Sequence, residues 1–342
     1  MRISLYDLLQ EKPLLLADGA TGTNFMHMGL EPGFPPDIWN QTEPSKPETL
    51  HRQFVEAGSD IILTNTFGAN APRLKLHDAQ DDTYAINKAG AEIAGRVAEA
   101  AERPVVVAGS VGPTGELFEP MGEMTMESAV AAFTTQIEGL RDGGADVIWI
   151  ETMSAAEEIQ AAAQAAIDCG MPYCYTASFD TAGKTMMGIA PGQIHNIARD
   201  LTEPPLAVGS NCGVGASDLL LGALDMTAAD PDAVVIGKAN CGIPHVMGKE
   251  TVYSGTPELM YDYAQLAADA GVRIIGGCCG NAPEHVAAMR KSIDDYVARN
   301  APGPRPTRES LEEALGALVN PPLEAGTTGR RGSGRSGGRR RR

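Results

Sequence analysis

The segment Gly276-Gly277-Cys278-Cys279-Gly280 sets two cysteines side by side among glycines, and a third cysteine stands 66 positions upstream in Ser210-Asn211-Cys212-Gly213. Adjacent cysteines suit a structural disulfide poorly, because a vicinal bridge strains the peptide between them. Each motif follows a run with the composition of a strand, so folding can bring all three thiols to one rim. Three thiolates with a fourth coordination position free for a substrate sulfur form a tetrahedral catalytic zinc site. A zinc-bound thiol is ionised at neutral pH yet still nucleophilic, which suits in-line attack on a methyl donor. The glycines are expected to permit the tight turns that consecutive ligands need. The competing reading is three buried, inert thiols. Cys241 is read either as a fourth ligand or as a small buried residue beside Asn240, whose amide oxygen could fill the remaining position.

An amino-acid thiol also needs its other end held. Glu151 ends the fourth strand-like run and can pair with an ammonium group; Asp18 follows the first run and can bind the same group or order its surroundings. Backbone N–H groups of the turn Gly19-Ala20-Thr21-Gly22 can receive a carboxylate as a nest does. A turn carboxylate at Asp18 and a structural ion pair at Glu151 are the plainer alternatives.

The elements that must position these residues alternate along the chain. Short apolar runs cover 14–17, 60–65, 104–108, 146–150, 172–178, 205–209, 233–237 and 272–276, rich in Val, Ile and Leu as doubly buried parallel strands are. Helical periodicity follows over 47–57, 83–101, 128–141, 155–167, 193–200, 217–226, 257–270 and 283–298. Gly58, Gly143, Gly170 and Gly271 lie where helices should end, which supports the register. Eight strands and eight helices predict an α/β fold, a single-domain (β/α)8 TIM barrel over 1–300, with an open doubly wound sheet as the alternative. The active site of such a barrel lies at the C-terminal strand ends, where the cysteines, Glu151 and Asp18 all fall. Residues 301–325 read as a linker with one short helix, and 326–342, built of Gly, Ser, Thr and Arg, as a disordered tail.

Charge is unevenly spread. Seven arginines lie between Arg330 and Arg342, so the rest of the chain holds 20 of the 27 basic residues against 44 acidic ones. An acidic body disfavours nucleic acid as the main partner, although an arginine-rich arm attracts phosphates. The start Met1-Arg2-Ile3-Ser4 lacks the pattern of a secretory signal, no apolar run is long enough to span a bilayer, and six cysteines in 342 residues do not suggest a disulfide framework. A cytoplasmic protein is expected, and the sequence is compatible with a homo-oligomer.

The set Asp18-Gly19-Ala20-Thr21-Gly22-Thr23, Thr64-Asn65-Thr66-Phe67, Gly112-Pro113-Thr114, Glu151-Thr152, Asn211-Cys212-Gly213 and Gly276-Gly277-Cys278-Cys279-Gly280 with Pro283-Glu284-His285 resembles the zinc-dependent homocysteine S-methyltransferases. The match runs from about Leu14 to Ala298. It implies a barrel with one zinc ion held by Cys212, Cys278 and Cys279, homocysteine as acceptor and methionine as product. In single-domain form the chain is most similar to the bacterial betaine enzymes of that family, which makes glycine betaine the expected donor. S-methylmethionine, dimethylsulfoniopropionate and methylcobalamin are the alternatives, the last with a corrinoid protein as partner.

A cationic donor calls for aromatic faces. Trp39 is the first candidate, then Phe67 and Phe34; Asn65 and Asn240 are counted with the substrate-binding set. The animal betaine enzymes carry tyrosines where this chain has Gly68 and Thr152. Lys238 could in principle form a Schiff base, but nothing nearby suggests a carbonyl substrate. The glycine-rich run from Gly109 to Gly115 lacks the lysine of a phosphate loop. A different class remains open: a redox or metal sensor in which Cys278 and Cys279 toggle as a vicinal disulfide, a role that requires neither Glu151 nor Asp18.

Overall fold

The computed structural model describes residues 2–242, 244–247 and 250–320. The expected tail, and the linker from 321 onward, lie outside the described residues. The strands are β1 (Leu15–Leu16), β2 (Ile61–Leu63), β3 (Val106–Val111), β4 (Val147–Met153), β5 (Tyr173–Ala177), β6 (Val208–Cys212), β7 (Val235–Ala239), β8 (Pro244–Met247), β9 (Glu250–Tyr253) and β10 (Val272–Gly277). Eight of them form one parallel sheet in the order β1-β10-β7-β6-β5-β4-β3-β2, while β8 and β9 pair as a separate antiparallel hairpin. The sheet curls into a nearly closed barrel with helices between its strands, the predicted (β/α)8 fold.

Both faces of the eight barrel strands are largely buried, and alternate residues divide between two cores. Leu15, Ile61, Leu63, Val106, Val147, Trp149, Ile236 and Ile274 form one cluster. Leu16, Ile62, Val107, Ile148, Ile150 and Tyr175 belong to the other, which includes the apolar stripes of the helices. The inner cluster is joined by Leu5, Leu8 and Leu9 of the helix Leu5–Glu11, which is capped by Ser4 accepting from the Asp7 N–H at 3.0 Å. Each such leucine contributes about 1.5–3 kcal/mol by leaving water.

Seven of the eight predicted helices are present, with ends within three residues of those expected. The one expected over 193–200 is instead a 3-10 segment, Pro191–Asn196. Its Ile194 carbonyl accepts from the Tyr175 hydroxyl at 2.7 Å, in place of the N–H four residues on that an α-helix would supply. The predicted short helix after residue 301 is found at Arg308–Leu315. The β8–β9 hairpin is an addition, because its segment reads as loop after β7.

The seam between β1 and β2 is closed differently from the rest. The only backbone ladder between these strands, among the described residues, is the isolated bridge Ala17↔Ile61. On one side of it the Asp60 N–H donates to the Leu16 carbonyl at 2.7 Å, and the Asp60 carboxylate accepts from the Leu16 N–H at 2.9 Å. On the other, Asp18 Oδ2 accepts from the Leu63 N–H at 2.7 Å. Two aspartate side chains therefore stand in for missing ladder bonds. Asp60 also gathers Lys12 at 2.6 Å, Arg290 at 3.2 Å and Arg103 at 3.6 Å.

Candidate metal centre and amino-acid pocket

β7 lies between β6 and β10, with Ala239 in register with Cys212 on one side and Gly277 on the other. A small residue at 239 leaves the space above β7 clear. The sulfurs of Cys212, Cys278 and Cys279 lie within 4.8 Å of one another, and the Cys212 and Cys278 thiols are hydrogen-bonded to each other. A tetrahedron with zinc–sulfur arms of about 2.3 Å needs sulfurs separated by about 3.8 Å, within that span. The electrostatics also fit a cation. Hydrogen bonds from Cys212 and Cys278 hold the Cys279 thiol well below the ordinary range, while the bonds that Cys212 donates to the other two, with burial, push it well above. One thiol ionises easily and its neighbours resist, until a metal compensates the charge.

The expected turn is present at Gly280, while Gly276 and Gly277 serve another purpose. Among Gly276, Gly277 and Gly280 only Gly280 has positive φ, at +81°. A Cβ on Gly276 would meet Ala17 at 2.9 Å and Lys238 at 3.1 Å, and one on Gly277 would meet the Asn281 side chain at 2.5 Å. Both are glycine because other side chains fill the space. Asn281 donates to the Ala239 and Cys278 carbonyls at 2.9 and 3.1 Å, tying β7 to the cysteine pair. A Cβ on Gly280 would meet the Tyr253 ring at 2.4 Å, and the Tyr253 hydroxyl is hydrogen-bonded to Cys279. The hairpin thus brings a hydroxyl to the cysteine cluster.

Asn240 bridges the two cysteine loops. Its amide oxygen accepts from the Cys279 N–H at 3.1 Å and its NH2 donates to the Gly213 carbonyl at 2.8 Å. It clamps the two cysteine loops together. Cys241 is buried and outside the three-sulfur cluster, which favours its reading as a small packed residue.

Asn211 was legible only as a neighbour of Cys212, yet it organises the rim. Its Oδ1 accepts from the Thr152 N–H at 2.8 Å and the Thr176 hydroxyl at 2.6 Å, while its Nδ2 donates to the Thr152 hydroxyl at 2.7 Å and to Cys212 Sγ at 3.4 Å. Thr152 and Cys212 both hold left-handed backbone, with φ of 63° and 59°. That conformation costs a non-glycine residue about 1–3 kcal/mol, so it must be held by its surroundings. Replacing Asn211 with alanine orphans several buried groups at about 1–3 kcal/mol each. We expect the variant to lose about 3 kcal/mol in urea unfolding and to release zinc to a chelator faster than the parent.

Two buried carboxylates, Glu151 and Asp18, lie near enough to Cys278 to feel its charge. Glu151, buried at 8% exposure, accepts from the Ser110 hydroxyl through Oε1 at 2.5 Å. No cation among the described residues is within ion-pair distance of it. Burial pushes its carboxyl up to about 7, with Lys238 opposing. Asp18 is already committed: Lys238 Nζ lies 2.8 Å from Oδ1 and the Leu63 N–H takes Oδ2. Of the two readings for Asp18, the ordering one fits. In the turn beside it, the Ala20 N–H is donated to the Asn281 carbonyl at 2.9 Å, while Gly22 faces open space. Gly19 lies so close to the Asn281 carbonyl that a Cβ would meet it at 2.6 Å, and Thr21 is half-buried.

The donor candidates separate. Trp39 is buried, with the Phe25 ring 5.1 Å away and the Lys46 ammonium 5.4 Å over its own ring, so the chain's own lysine takes the cation position on that indole. Phe67, by contrast, is 39% exposed and lies across Gly112. Asn65 donates to the Pro36 carbonyl at 2.8 Å and Asn40 at 3.0 Å, fixing the loop that carries Trp39. Asp37, buried under Gly68 and accepting its N–H at 3.0 Å, went unnoticed in the sequence; burial pushes its carboxyl up to about 6.

Comparison with known proteins bears on this site. The sequence profile of the family described as Homocysteine S-methyltransferase matches residues 15–293. The chain is 31% identical over 322 residues to a methionine synthase of Mycobacterium leprae, covering 86% of this chain and 26% of that protein. It is 30% identical over 335 residues to the methionine synthase of Mycobacterium tuberculosis, covering 92% and 27%. It therefore spans about a quarter of the length of these relatives. Among solved structures it is similar to the homocysteine methyltransferase MmuM from Escherichia coli in its metallated form, with a TM-score of 0.69 at 22% identity, covering 84% of this chain and 99% of that one. At that identity the likeness is one of fold. No helix of the described residues is long and apolar enough to cross a membrane.

Proposed function

The chain belongs to the homocysteine S-methyltransferase family, and on that premise we propose that it transfers a methyl group from an onium donor to homocysteine with one zinc ion held by Cys212, Cys278 and Cys279. The observation that carries the reading is the convergence of three thiols from the ends of β6 and β10 near a buried carboxylate that has no ion-pair partner among the described residues. Zinc in that tripod would keep the homocysteine sulfur ionised at neutral pH. Glu151 accepts the substrate ammonium, with Ser110 fixing one of its oxygens so that the other faces the ligand. Because Glu151 must be ionised to do so, homocysteine affinity should fall as pH drops below about 7. The open side of the Gly22 turn suits the substrate carboxylate. A sensor built on Cys278 and Cys279 would leave Glu151 and Asp18 unexplained.

Glycine betaine is the donor we put first. The sulfur lone pair forms the new S–C bond, the N–C bond breaks, and its electrons stay on the amine nitrogen of the departing dimethylglycine carboxylate, which then takes a proton from water. A second reading has methylcobalamin as donor, delivered by a corrinoid protein. It is favoured by the likeness to methionine synthases and by the partners that already cover Trp39. Zinc-loaded protein with homocysteine and, in turn, glycine betaine, S-methylmethionine, dimethylsulfoniopropionate and methylcobalamin separates the two. Methionine and dimethylglycine in equal amounts are expected with betaine. Methionine from methylcobalamin alone would move the assignment to the second reading, and no methionine from any donor with zinc still bound would overturn the acceptor.

A further inference from the structure

Lys238 sits inside the barrel, in register with Asn211 on one side and Gly276 on the other. It is 3% exposed, its ammonium lies 5.8 Å over the Trp149 ring, and its partner Asp18 is 1% exposed. The missing side chain of Gly276 provides its space. A buried ammonium costs several kcal/mol unless other charges compensate it, so its presence needs a reason. Burial alone would push Lys238 down, but the Asp18 and Glu151 carboxylates more than offset this and hold it charged. Two carboxylates and one resident ammonium leave a balance of one negative charge. With both Asp18 oxygens engaged, that charge is available only at Glu151.

We propose that Lys238 is a positioning residue that sets the charge of the amino-acid pocket, keeping Asp18 and Glu151 ionised together so that the pocket admits one further ammonium, that of the substrate thiol. This rests on the homocysteine reading above. Without Lys238, two buried carboxylates would face each other and one would take up a proton, as like charges at close range require. The groups acting on Glu151 are Lys238 and Asp18 from the barrel interior, Cys278 and Cys279 from the rim, and Cys174 from β5. Lys238 is the only cation among them.

The test is calorimetric binding to zinc-loaded protein, which needs no methyl donor. Homocysteine is compared with 4-mercaptobutanoate, which keeps the thiol and the carboxylate but lacks the α-ammonium. The ratio of their Kd values, followed from pH 6 to 9, cancels ionisation of the thiol and reports recognition of the ammonium. The parent should favour homocysteine at least tenfold at pH 8, with the preference fading on acidification. In Lys238→Met the preference should appear about one pH unit higher, with zinc content and 4-mercaptobutanoate affinity unchanged. A preference curve that overlays the parent's overturns the proposal and leaves the reading of the pocket intact. A parent ratio near one overturns both. Should Lys238→Met fail to fold, the double variant Asp18→Asn/Lys238→Met removes the buried pair together and is expected to show a smaller shift in the same direction, while an unshifted curve there counts against the proposal.

Discussion

Replacing Cys212 with alanine should strip the protein of stoichiometric zinc and lower methionine formation by about a thousandfold, the loss of about 4 kcal/mol of transition-state stabilisation. Cys278 and Cys279 alone supply two thiolates, and the described residues hold no other cysteine, histidine or carboxylate within reach of the cluster. Cys241 does not substitute, because it lies outside the cluster and its N–H is committed to the Cys279 carbonyl at 2.9 Å. Metal analysis and a methionine assay on the same preparation make the measurement. Cys241→Ala is the control and should keep its zinc. Full zinc occupancy in Cys212→Ala would dismantle the tripod and the nucleophile derived from it.

The second large effect is on stability, at the opposite end of the barrel. Asp60 is 1% exposed, bonds Leu16 through both backbone and carboxylate, and has Lys12, Arg103 and Arg290 around it. Asp60→Ala leaves three cations facing one another and orphans the Leu16 N–H. Breaking a buried ionic cluster from one side costs about 3–5 kcal/mol, a large fraction of a domain's usual margin. Urea unfolding of the zinc-saturated variant should show that loss, and Asp60→Asn, which keeps an acceptor for Leu16, a smaller one. A change under about 1 kcal/mol would mean that the seam is held elsewhere.

The features legible in the sequence were those with a local signature. Apolar runs, glycine stops and the two cysteine motifs have one, and they placed the barrel and brought the three cysteines to one rim. Partnerships between distant residues have none. Nothing near Lys238 announces Asp18, 220 positions away, and nothing near Asn211 announces Thr152, 59 positions away. Lys238 was considered for covalent chemistry because a lone lysine at a strand end suggests it, whereas a buried carboxylate had already claimed its charge. Trp39 looked like an open aromatic face for the same reason: the sequence does not reveal that Lys46 covers it. The 3-10 segment at Pro191–Asn196 depends on a hydroxyl from β5, again out of local view.

Asp18 holds the seam at Leu63 and pairs with Lys238 in the pocket, while Glu151 takes no part in closing the barrel. The two carboxylates are therefore unequal witnesses to chemistry. A descendant that drifted toward a thiol without an amino group could discard Glu151 and keep its architecture, but it could not discard Asp18 as freely. On the role proposed for Glu151, an aspartate at position 18 testifies to a closed barrel, and only the glutamate testifies to an amino-acid substrate.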